Sequence, residues 1–109
     1  MKSEEVFEKA LASIVDKLKE KEIVFKDDNM EMVFHSHIQA MVNRLKNDEV
    51  IKDGSLMPEE VKNEISTEAM DLAKSIIHEA FEMYDQELSE VELVLVATHM
   101  QLYLASKEA

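Results

Sequence analysis

The sequence predicts an all-helical bundle, and three observations carry that reading. The 109 residues include one Gly and one Pro, too few turn residues for a chain of many short strands. Glu, Lys, Leu, Ala and Met, all good helix formers, dominate the composition. Apolar residues recur at three- and four-residue spacing along most of the chain. The length suits one hydrophobic core and not two, so residues 1–109 are read as a single domain.

From Ser3 the apolar positions Val6, Phe7, Ala10, Leu11, Ile14, Val15 and Leu18 define a first helix to about Lys21. Glu4 and Glu5 lie in its first turn, where the helix dipole favours anions. After the acidic pair Asp27-Asp28 and Asn29, which supply a cap, Met30, Phe34, Ile38, Met41, Val42 and Leu45 form a second stripe. The segment "KNDEVIKDGSLMP" breaks that helix, with Val50, Ile51 and Leu56 available to tuck against the core and Pro58 suited to the next first turn. From Pro58 a helical pattern runs to about Tyr84 through Val61, Ile65, Ala69, Leu72, Ala73, Ile76, Ile77 and Ala80. Periodicity leaves open whether "IST" around Ser66 divides it in two. Ser89 and Glu92 make the S-x-x-E capping box of a last helix that is apolar almost all the way round. Such a helix is either central in the bundle or has a second partner.

Charge and composition exclude several function classes. Twelve basic residues against 24 acidic ones leave a formal net charge of −12, which disfavours direct binding to nucleic acid and favours a protein partner with a basic face. No Cys is present, so disulfides, thiolate zinc sites and Cys nucleophiles are excluded. The charged N-terminal stretch is neither a signal peptide nor an anchor, and no run reaches the ~18 apolar residues of a membrane span. The expected location is cytoplasmic. There is no Gly-rich phosphate loop and no Ser-centred elbow; the reading is a protein that is not an enzyme, with no cofactor and no metal.

The stretch "VFHSHIQAMVNRL" raises a sharper question. On a helix His35 and His37 lie ~200° apart and cannot chelate one ion. They occupy opposite flanks of the apolar stripe, and Arg44, seven residues on, returns to the His37 flank. His37 is then a phosphoryl acceptor on an exposed flank with a neighbouring cation, or an ordinary boundary residue. In the last helix His99 shares a side with Glu92, seven positions and roughly 10 Å earlier. It is a hydrogen-bonded core histidine, or one placed where its charge or modification changes packing. His78 and Glu82, at i,i+4, read as a solvated surface pair.

The stretch "HSHIQAMVNRLKND" resembles the first signature of the PRD family, regulatory domains controlled by the sugar phosphotransferase system. His37 takes the signature histidine and Arg44 the signature arginine; the family's aspartate before that histidine is Ser36 here, and His35 is additional. "LSEVELVLVATHM" is similar to the second signature, with Glu92 and His99 in the matching places. The resemblance implies a compact five-helix bundle, usually a homodimer, in which His37 and His99 accept phosphoryl groups from HPr or from the B component of a sugar permease, with Arg44 and Glu92 supporting them. No RNA-binding or DNA-binding segment accompanies the domain in this sequence, so its influence on transcription or carbohydrate metabolism would run through a protein partner or dimerisation. The alternative is an acidic, non-catalytic interaction protein whose histidines are structural.

Overall fold

The computed structural model of the chain describes residues 4–51 and 63–108. Among these the regular structure is entirely helical: α1 (Glu4–Glu20), α2 (Asp28–Lys46), α3 (Thr67–Met83) and α4 (Glu90–Glu108). The all-α class therefore holds, while the expected five helices are not matched, since four are seen among the described residues. A helix opening at Pro58, like the tucked Leu56, would fall in 52–62, outside them. The break left open at "IST" is real. Asn63 and Glu64 are helical, Ile65 is a bend, and Ser66 caps α3 by accepting a hydrogen bond from the Ala69 N–H at 3.1 Å. The Ser66 N–H in turn donates to Gln101 Oε1 of α4 (2.7 Å), which fixes where the new helix starts.

The cap of α2 is Asp27, whose carboxylate accepts from the Asn29 N–H at 2.8 Å. Asn29 itself lies inside the helix. The C-termini of α1, α2 and α3 share one solution that the sequence does not advertise. Glu22, Asp48 and Asp85 adopt φ of 57°, 58° and 54°, the left-handed region usually given to Gly. Each is flanked by the paired bonds of a Schellman motif. In α1 these are Ile23 N–H to Leu18 O (2.9 Å) and Glu22 N–H to Lys19 O (3.1 Å). The motif turns the chain sharply enough to fold Ile23 and Phe25 back into the core.

The helices enclose one core. α3 packs on both α1 and α4, and α2 closes the bundle by contacting α1 and α4. The expected stripes face inward: Ala10, Ile14 and Leu18 of α1; Phe34, Ile38, Met41, Val42 and Leu45 of α2; Ala69, Ala73, Ile76, Ile77 and Ala80 of α3, joined by Phe81, which the spacing does not single out. Three alanines on the inner face of α3 let its neighbours approach closely. α4 contributes Val96, Ala97, Met100 and Tyr103, yet it is not enclosed on all sides: Thr98 and Ala105 are at the surface and Leu102 is 51% exposed. Val50 packs against the core edge.

Candidate functional site

α2 and α4 run antiparallel, which follows from contacts spaced along both. Near the start of α2, Lys26 Nζ donates to the Ser106 carbonyl (3.3 Å); midway, Phe34 and His37 meet His99; at the end of α2, Arg44 meets Glu92. Two antiparallel helices advance in opposite senses, so seven residues forward from His37 and seven backward from His99 arrive at the same level, about 10 Å away. The two matching spacings seen in sequence thus become a single site.

At the first level the imidazoles of His37 and His99 lie ring against ring, centroids 4.9 Å apart and tilted by 51°. Phe34 and His99 meet in a T-shaped arrangement, centroids 5.8 Å apart. Both histidines are half-buried. His37 Nε2 is fully shielded and, among the described residues, has no hydrogen-bond partner. The exposed flank expected for His37 is corrected in part: the residue is only half-buried, but this nitrogen is out of reach of water.

At the second level Arg44 forks onto Glu92, Nε to Oε2 at 2.7 Å and Nη2 to Oε1 at 2.5 Å. The Glu92 side chain is 0% exposed and that of Arg44 22%. This bidentate geometry suits a guanidinium and would not suit an ammonium. Glu92 Oε2 also accepts the Ile51 N–H (3.3 Å). Ser89 Oγ accepts the Glu92 N–H (3.4 Å) and donates its own proton to the Ile51 carbonyl. The capping box is therefore half formed: Ser89 caps α4, while the Glu92 carboxylate turns to Arg44 and Ile51. Ser89 and Ile51 belong to the site though the sequence marked them only as a cap and a loop apolar residue; nothing in the spacing shows that Ile51 is held through its backbone.

Electrostatics follow from this arrangement. Burial, followed by the positive Arg44, holds His37 below its ordinary pKa, against an opposing pull from Glu92. His99 is lowered by burial and then by His37. Arg44 is raised, first by its hydrogen bonds to Glu92 and also by that residue's charge, against the effect of burial. Both rings are thus neutral at neutral pH, the form in which an imidazole nitrogen is a nucleophile.

The other candidates lie elsewhere. His35 sits on the opposite flank of α2, toward α1, with Phe34 edge-on at 5.8 Å and Glu31 at 3.7 Å. His78 and Glu82 of α3 form the expected exposed pair at 3.1 Å. Among the described residues no cluster of three or more His, Asp or Glu could hold a metal ion, and no helix is long and apolar enough to cross a membrane. No curated protein and no solved structure matches the chain. The PRD domain, in contrast, matches residues 9–103, a span that takes in α2, most of α4 and His37, Arg44, Glu92 and His99. This chain belongs to the PRD family, a family of regulatory domains tied to the phosphotransferase system.

Proposed function

We propose that this domain is a phosphotransferase-controlled regulatory module in which His37 and His99 accept phosphoryl groups from HPr or a sugar-permease B component. The observation that carries the reading is the meeting of two neutral imidazoles at 4.9 Å, with the forked cation Arg44 two helical turns further along the same side of α2. In the transfer from HPr, the P–N bond on the carrier histidine breaks as a P–N bond to the acceptor ring forms. The proton given up by the acceptor passes through solvent to the released carrier imidazole. From a B component the bond between phosphorus and the carrier side chain breaks instead, and that side chain leaves with the electron pair. Arg44 is placed to offset the new negative charge, and Glu92 holds Arg44 in position.

The output is a change in association, with a second copy or a cytoplasmic protein effector. α2 from Met32 to Asn43 and α4 from Leu93 to Ser106 contain no Asp, Glu, Lys or Arg. In a chain of net charge −12 this leaves a charge-free face around the histidines, on which Val33 (56% exposed) and Leu102 stand out. Interface cores are depleted in charge in this way, and such a face can meet its own copy without pairing like charges. A phosphoryl group arriving there would oppose close approach.

Incubation with phosphoenolpyruvate, enzyme I and HPr is expected to give an acid-labile phosphoprotein, with label lost in the His37→Ala/His99→Ala variant. Absence of label under HPr and under a permease B component would overturn the acceptor role. A second reading, an acidic interaction protein with structural histidines, draws support from the shielded His37 Nε2. It predicts that both His→Ala changes leave partner binding intact in a pull-down.

A further inference from the structure

We propose that Arg44 is shared between two anions: it is forked onto Glu92 in the unmodified domain, and a phosphoryl group on His37 draws it away and frees the Ile51 backbone that Glu92 and Ser89 hold. The inference rests on reading His37 as an acceptor, and it adds how modification leaves the site.

Three observations carry it. First, Glu92 is the junction of the site: its two oxygens receive both Arg44 bonds and the Ile51 N–H, and it does so with its side chain fully buried. An unpaired charge is costly in a fully buried place, so without Arg44 the carboxylate is driven toward water. That movement alters its hold on Ile51.

Second, Arg44 lies two helical turns beyond His37 on the same side of α2, where Glu92 holds it. A phosphoryl group bears roughly −1.5 to −2 charge and three acceptor oxygens, against one charge and two oxygens on Glu92. Guanidinium forks bind phosphate and carboxylate with the same geometry, so the exchange needs no new donor.

Third, Ile51 is held at both backbone atoms from α4, its N–H by Glu92 and its carbonyl by Ser89 Oγ. A second link, Gln86 Nε2 to Asp48 Oδ1 at 3.0 Å, ties the same turn to the α3–α4 connection and does not involve Arg44. Release is therefore local to Ile51, and the turn before it stays fastened.

The test is amide hydrogen exchange read by NMR, comparing Ile51 with Ile76 in the buried centre of α3. In Arg44→Met, with no phosphate present, the Ile51 amide is expected to exchange about tenfold faster or more while Ile76 is unchanged. Arg44→Lys, which keeps the charge and loses the fork, should lie between. Where Arg44→Met alone fails to fold, the paired variant Arg44→Met/Glu92→Met leaves no buried charge and is measured in its place, with the same fast Ile51. Chemical phosphorylation of the wild type with phosphoramidate should speed Ile51 exchange, and His37→Ala should abolish that response. In the paired variant phosphorylation should change Ile51 no further. Equal Ile51 protection in the wild type, the Arg44 variants and the phosphorylated protein would overturn the hand-over while leaving the acceptor role standing. A chain that neither carriers nor phosphoramidate can phosphorylate would overturn the acceptor role and this inference with it.

Discussion

The α1/α3 half of the bundle and the α2/α4 half solve opposite problems with electrostatics. Along α1 and α3 the charges are exposed and loosely paired: Lys17 reaches Glu79 across the two helices at 3.9 Å, Ser13 Oγ bonds the same carboxylate at 3.0 Å, and within α1 Lys9 pairs with Glu5 at 3.3 Å. An open groove there is lined by Lys17, Asp71, Lys74, His78 and Glu82. Between α2 and α4 Arg44 and Glu92 form a forked ion pair whose carboxylate is fully buried. It lies beside the charge-free histidine face. Exposed pairs contribute little because water already solvates both partners. A buried pair contributes little as a pair, yet breaking it strands a charge. The first half can change its charges freely, whereas the second is sensitive to a change of charge at the Arg44–Glu92 pair.

The largest break in that contrast should come from Arg44→Ala, which strands Glu92 and is expected to destabilise the domain by about 3–5 kcal/mol in urea unfolding. Glu92→Gln should cost less, since the amide oxygen still accepts from Ile51 and Arg44 can turn to water. Equal losses from the two would show that Glu92 is not held by its cation.

Acidification tests the same half at a distance from the ion pair. Both histidines have folded pKa values below 6.5, so in the window beneath 6.5 the unfolded chain binds more protons than the folded one. Stability is then fully present above about pH 6.5 and is lost as pH falls from that value through the folded pKa values. His37→Asn/His99→Asn should flatten this part of the profile, measured as the urea midpoint between about pH 7.5 and 5.5. An unchanged slope would mean that the decline comes from other groups.

Smaller effects belong to the rest of the bundle. Glu22→Gly should stabilise by about 0.5–1 kcal/mol, since φ of 57° costs a residue with a Cβ and not glycine. A loss of stability there would mean that the Glu22 side chain matters more than its backbone. Glu79→Ala, which removes the Lys17 and Ser13 contacts, should change stability by less than about 1 kcal/mol. A larger cost would erase the difference between the halves.

Much of the fold was legible before the structure. Apart from Phe81, the inward positions of α1, α2 and α3 are those the spacing picks out, because burial on one side of a helix leaves a 3.6-residue period in the sequence. Three things were not legible. The C-terminal caps lack the usual glycine, so Glu22, Asp48 and Asp85 carry no local signal of a left-handed residue. Glu92 reads as half of a capping box, yet its carboxylate is taken by an arginine 48 positions away; local and long-range partners compete, and the one with full charge and two bonds wins. The burial of His37 Nε2 comes with the approach of His99 from α4, which the α2 sequence alone does not describe.

At the site, the residue types and the two seven-residue intervals belong to the one-dimensional chain: His37 to Arg44 along α2, and Glu92 to His99 along α4. Helical geometry turns each interval into two full turns on one side of a rod, and no fold is needed to know it. What required the tertiary structure was the antiparallel pairing of those rods. Only that pairing puts histidine beside histidine and arginine onto glutamate, because contacts between helices are set by how whole faces pack around a shared core and not by any spacing within one helix.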